Sequence, residues 1–217
     1  MGKHDIKIPL ESVTLKGKLM IPPKATGIVV FCNCSSSCTT DPKNIQLAEL
    51  LQKDNLGTLI FNLLTTTEAA NCENKFNIDL LVGRLIKTTD WLLLNPANNE
   101  LPIGYLGAKT GAAVAMRAAA YFGTDIKAVV SRSGRPDMVM DTLNQITAPT
   151  LLLVNGIDIP IISLNKIAYD NLVSEKEMKI LPRTPAVMNE ANKLKEAAEV
   201  AISWFQKYFG SKNTYSF

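Results

Sequence analysis

The residues best able to do chemistry in this chain are its four cysteines. Three of them, Cys32, Cys34 and Cys38, lie in the stretch "FCNCSSSC", and the fourth is Cys72. Three readings stand side by side. Buried thiols can serve as small apolar filler. Cys34 or Cys38 can bridge to Cys72, whereas Cys32 and Cys34, two apart in an extended segment, have poor bridging geometry. Or the four converge as thiolates on a metal, since four cysteines are the full complement for zinc or an iron–sulfur cluster. A C-x-C pair reaches two irons more naturally than it chelates one tetrahedral ion, so the spacing ranks a [4Fe–4S] cluster ahead of zinc or no metal. A site of this kind implies a redox or cluster-dependent role on a small molecule. Ser35, Ser36 and Ser37 read as turn formers.

The elements that must position these residues alternate. Apolar runs at 27–32, 58–62, 126–131 and 148–156 read as strands, and amphipathic or alanine-rich segments between them read as helices. Asp41-Pro42 opens one helix, residues 78–94 form a second, and residues 190–209 form the last. Lys16-Gly17 reads as a hairpin turn between two short strands, and the polar segment "LLTTTEAANCENKFN" as a loop whose "TTTE" lines a cavity or caps a helix turn. Strands separated by helices of this length imply right-handed crossovers and a mostly parallel sheet, covered on both faces. Ligands of such sheets bind outside the carboxyl ends of the strands. The cysteines, Lys109 and Asp158 all follow strands, which places them along one rim.

"IGYLGAKTGAAVAM" has the form strand, sharp turn, helix. It resembles the Gly-x-Ser-x-Gly nucleophile elbow of α/β-hydrolases, with Gly107 and Gly111 as the glycines and Lys109 where the serine would stand. From about residue 8 to 208 the chain resembles the dienelactone hydrolase-like proteins of that fold. The resemblance implies an α/β-hydrolase fold of about eight strands, mostly parallel, with helices on both faces. It puts Asp158 of "APTLLLVNGID" at the triad-acid position, Asn33 and Cys34 where a His-Gly loop would help form the oxyanion hole, and Ala186 near the position of the catalytic histidine. The chain has one histidine, His4, in the N-terminal arm. A serine hydrolase needs a nucleophile, a base and a group that orients the base. The sequence therefore excludes triad-type serine hydrolysis and leaves three roles open: a cluster-dependent enzyme, a silent relative that binds or regulates, and a residual esterase using a cysteine.

Lys109 reads as a cation beside an anionic cluster, as a solvated lysine on a disused elbow, or as a Schiff-base amine. Asp158 reads as a vestigial acid capping the next helix or pairing with Lys109. Arg132 and Arg135 of "SRSGRPD" are candidates for an anionic substrate, with Asn33 as a third binding residue.

The chain has 217 residues, 47% hydrophobic and 20% charged, with a net charge of +3. That composition fits one α/β domain over residues 1–217, with 210–217 a frayed tail. It argues against nucleic-acid or membrane partners, leaving a small molecule or a redox partner. The N-terminus lacks an apolar signal core, so a reducing cytoplasm is the expected setting.

Overall fold

The structure, a computed structural model, describes residues 4–33, 37–95, 100–182 and 190–210. Eight strands form one sheet: β1 His4–Pro9, β2 Thr14–Met20, β3 Ile28–Cys32, β4 Gly57–Phe61, β5 Ile103–Ala108, β6 Ile126–Arg132, β7 Thr150–Asn155 and β8 Lys176–Leu181. Their order is β1-β2-β4-β3-β5-β6-β7-β8. β2 is antiparallel to both β1 and β4, and all pairings from β4 to β8 are parallel. The expected α/β-hydrolase architecture is therefore present.

Six α-helices are described: α1 Pro42–Lys53, α2 Thr66–Ala70, α3 Ile78–Leu93, α4 Thr110–Phe122, α5 Ile159–Asn171 and α6 Glu190–Phe209. Alternation along β3 divides the core in two. Ile28, Val30 and Cys32 pack on the side of α3 and α4, while Val29 and Phe31 pack on the side of α1 and α6. Every residue of β3 and β4 is buried, as strands covered on both faces must be. No helix among the described residues is long and apolar enough to cross a membrane. The tail from 211 onward, where fraying is expected, lies outside the described residues.

Two local expectations are corrected. Lys16-Gly17 is not a turn: β2 is continuous, and Gly17 lies mid-strand between Ile6 and Phe61. A Cβ on Gly17 would sit 3.0 Å from that of Phe61, so the glycine answers to crowding across the sheet. The hairpin instead joins Pro9 to Thr14. The segment after β4 is not simply a loop. Thr65 caps α2 in a reciprocal box with Glu68, and Cys72–Lys75 is a 3-10 turn. Glu68 also pairs with Arg84 of α3 at 2.6 Å. Burial raises the Glu68 pKa, but the Thr65 amide and hydroxyl and the Arg84 guanidinium outweigh it and hold the carboxyl below its ordinary value.

Candidate functional site

The turn from β5 into α4 is built by its glycines. A Cβ on Gly107 would lie 2.4 Å from the Gly111 carbonyl oxygen, and one on Gly111 would lie 1.7 Å from the Cys32 carbonyl oxygen. Only glycine lets the start of α4 come this close to both β5 and β3. Between them, Lys109 has φ 52° and ψ −125°, a left-handed conformation costly for a side-chain-bearing residue. The Lys109 carbonyl accepts from Ala112 N at 3.1 Å and from Arg135 N at 3.1 Å, so the backbone on both sides fixes the turn. Lys109 thus stands exposed at the elbow, as the sequence implied, and its side chain caps no amide of α4.

A cleft of about 1010 Å³ opens beside it. Its described walls come from the end of β3 (Asn33), the start of α1 (Asp41, Lys43), the segment after β4 (Lys75, Phe76), the elbow and Arg132. A second recess of about 410 Å³ shares Lys43, Lys109 and Arg132 with it and continues towards Asn155 and Lys193. Sheet register explains Arg132: it ends β6 and pairs with Ala108, the residue before Lys109. Burial pulls the Arg132 guanidinium below its ordinary pKa, and the Asp41 carboxylate pulls it partly back. Asp41 is the one acid among the described cleft residues, and its carboxylate is already engaged by Lys43 N at 2.8 Å in capping α1. Lys75, Lys109 and Arg132 outnumber it, so the described walls carry net positive charge.

The other sequence candidates separate. Asn33 reaches the cleft, where its amide donates to Asn44 Oδ1 at 2.8 Å and its own Oδ1 is buried without a hydrogen-bond partner. The side chain of Arg135 turns away and holds Asp137 through two bonds of 2.8 and 2.7 Å. Asp158 caps α5, accepting from Ile161 N at 3.3 Å, and does not line the cleft. Cys32 and Cys38 are wholly buried, but in the two separate halves of the core. Asn44 Nδ2 donates to the Cys38 carbonyl at 3.2 Å and lies 3.5 Å from its sulfur. Cys72 is exposed on the 3-10 turn, and none of these three cysteines is in a disulfide. The structure does not bring them together, and among the described residues no three His, Cys, Asp or Glu side chains are placed to hold a metal. Cys32 closes β3 and packs on the α3 and α4 side, whereas Cys38 lies in a turn beyond the strand and packs on the α1 and α6 side. Cys34, Ser35, Ser36 and Ala186 lie outside the described residues.

His4 opens β1. Two antiparallel steps make β1 run in the same direction as β5, so His4 is at the amino end of the sheet and Lys109 at the carboxyl end. β1 is also four places from β5, roughly 19 Å to the side at the usual strand spacing. Sequence reasoning missed three cleft residues, Lys43, Lys75 and Phe76. The available signal was a basic or aromatic residue in the segments that follow β3 and β4, which topology brings to the same rim.

No protein-family model matches the chain. It is 39% identical over 202 residues, 93% of its length, to two Mycobacterium tuberculosis proteins named "Putative phosphoribosyl transferase". The match spans 46% of those proteins, so the chain covers about half of their length. A crystal structure of dienelactone hydrolase from Anabaena variabilis is 40% identical, over 95% of this chain and 98% of that one, with a TM-score of 0.90. Est1E from Butyrivibrio proteoclasticus shares the fold at 12% identity, covering 95% of this chain and 99% of that one, with a TM-score of 0.77. The glycine-built elbow, the sheet order and the close match in both sequence and structure agree: the chain belongs to the dienelactone hydrolase family of α/β-hydrolase-fold proteins.

Proposed function

We propose that this protein binds a small organic anion in the cleft around Lys109 and does not cleave esters by a Ser-His-Asp triad. The observation that carries the reading is the placement, at the elbow, of Lys109 beside a partly buried Arg132, in a cleft whose one described acid is used in capping a helix. A partly buried guanidinium whose neighbouring acid, Asp41, is committed to a helix cap is better satisfied when an anion joins it. An anionic ligand supplies that partner. Triad chemistry lacks its parts: lysine stands at the nucleophile position, and His4 starts a strand at the other end and edge of the sheet. A serine without a base is a weak nucleophile in any case. The role that follows is that of a binding or regulatory member of the family.

The retained elbow favours a second reading, an esterase like the hydrolase it resembles. One assay separates the two. The full chain should not turn over p-nitrophenyl acetate above background, and Lys109→Ser alone should not create turnover. Steady hydrolysis abolished by Lys109→Ala would overturn the binding reading and make the lysine the nucleophile. The phosphoribosyl transfer named for the M. tuberculosis relatives is not carried over, because the chain spans 46% of them and the fold it brings is that of the hydrolase. The iron–sulfur reading has no support in the positions of Cys32, Cys38 and Cys72, and the binding reading does not depend on it.

A further inference from the structure

We propose that the anion is an organic phosphate, anchored by Arg132 and Lys109, with its organic body lying towards Phe76. This rests on the binding reading above and narrows its ligand. Three observations select phosphate over carboxylate. The first is charge: Lys75, Lys109 and Arg132 outnumber Asp41 in the described walls, an excess of two charges suited to a dianion more than to a single carboxylate charge. The second is donor geometry. Register sets Arg132 beside Ala108, so a guanidinium fork and the Lys109 ammonium rise from neighbouring strand ends. A guanidinium presents five donors and an ammonium three, while a carboxylate has two oxygens to receive them and a phosphate monoester has three on its terminal group. The start of α4, thirteen residues long and uncapped by the Lys109 side chain, adds positive potential at the same place. The third is size and lining. The cleft, about 1010 Å³, is at the upper end of the volumes typical of organic-ligand pockets, far beyond what an inorganic ion fills. Phe76, 65% exposed, is a large apolar surface in its wall. An aromatic left uncovered there is explained by a ligand body that packs on it.

The test is calorimetric titration of the full chain with phenyl phosphate and ribose 5-phosphate, against benzoate as the carboxylate analogue and phenol and ribose as neutral ones. The expected result is saturable binding of the phosphates, none of phenol or ribose, and benzoate weaker than phenyl phosphate by roughly tenfold or more, the effect of about one charge-assisted hydrogen bond. Arg132→Gln should weaken phosphate binding by roughly tenfold or more, and Lys109→Gln by a smaller factor of about three to ten. Lys109 is exposed, so its variant keeps the test valid where Arg132→Gln fails to fold. Benzoate binding as tightly as phenyl phosphate would overturn the phosphate assignment and leave the anion-binding reading standing. Phosphate affinity unchanged in Lys109→Gln and in folded Arg132→Gln would overturn the site. No binding of either anion would overturn both. Triad-type turnover of esters, with phosphate binding still dependent on Arg132 or Lys109, would overturn the proposed function and leave this inference in place.

Discussion

β3 and β5 are neighbours in the sheet and end at the same rim, yet Lys109 and Cys38, which follow them, are placed oppositely. After β5 the chain takes a strained step at Lys109 and holds a charged side chain out over an open cleft. Further along the segment after β3, the chain turns inward. Cys38 is wholly buried against the α1 and α6 side, and the Asn44 amide satisfies its carbonyl. The residue type with the richer intrinsic chemistry, the thiol, is the one that packs as an apolar group. The one that looks like a substitution in a disused motif is the one presented to a ligand. The difference teaches that placement governs reactivity here. Strain persists at Lys109 because two glycine-enabled backbone contacts and two hydrogen bonds to its carbonyl over-determine the turn.

The largest expected effect comes from filling the contact that couples the two turns. Gly111→Val would drive side-chain carbon into the Cys32 carbonyl, where a Cβ already falls at 1.7 Å. Because backbone sits on both sides, the cost should reach about 3 kcal/mol or more, and the melting temperature should fall by at least about 6 °C. Gly83 on α3 is the control: no atom lies within 4 Å of its added Cβ, so Gly83→Ala should stabilise by roughly 0.5–1 kcal/mol. A stable, unshifted Gly111→Val would show that the elbow is not held by β3.

A smaller effect is expected in the segment after β4, which supplies the Lys75 and Phe76 wall of the cleft. The folded-state pKa of Glu68 is depressed, so its contribution is fully present above the unfolded value near 4.5 and is lost as pH falls through the lower folded value. Glu68→Gln should cost about 1–2 kcal/mol at pH 7, since it removes the charge that faces Arg84. The variant should also lose part of the wild-type decline in stability below pH 4.5. An acid-unfolding curve identical to wild type would remove this pair from the supports of the cleft wall.

How far the sequence could be read follows from the same contrast. The elbow was legible because its spacing has one steric meaning: two small residues flank a turn that must fit between a strand and a helix. Gly17 was not legible as a strand residue, since crowding against Phe61 arises only when β2 and β4 pair. The cap of the short helix at 66–70 was legible as one of two readings of "TTTE", because Thr65 and Glu68 carry a capping-box signature, while the helix body was hidden in polar composition. Arg132 was correctly placed at the rim by its position at a strand end. Arg135 was not, because its partner Asp137 is two residues away on the same turn. The cysteines were harder to read: closeness along the chain does not fix which side of the sheet a side chain enters, and Cys32 and Cys38 pack on different sides.

Relieving the strain at the elbow should have a modest effect of opposite sign. At φ 52° glycine is unstrained, so Lys109→Gly should raise stability by about 1 kcal/mol, the relief of the turn reduced by the added entropy of glycine in the unfolded chain. Chemical denaturation measures it. A destabilised variant would mean that the Lys109 side chain makes contacts that outweigh its backbone strain. Gain of stability together with loss of phosphate binding would mark the residue as kept for its ligand.

The smallest effect belongs to Cys72, and it sharpens the comparison most directly. Cys72 is exposed at the start of a 3-10 turn whose cap comes from Asn71, so the thiol is not needed to hold the local backbone. Cys72→Ser should change stability by less than about 0.5 kcal/mol, as surface substitutions away from special features do. Cys38→Ala, which empties a buried position beside α1, should cost more, on the order of 1 kcal/mol. A shared cluster reverses this order, because each ligand then contributes to the same bound group and losing the exposed one is as damaging as losing a buried one. Iron, sulfide and zinc assays on anaerobically prepared wild type and Cys72→Ser complete the measurement. Equal metal content in the two, with unchanged stability, fits independent thiols on separate surfaces. Stoichiometric iron and sulfide lost in Cys72→Ser would instead show that the turn after β3 and the segment after β4 meet around a cluster, and that the charge at Lys109 answers to it.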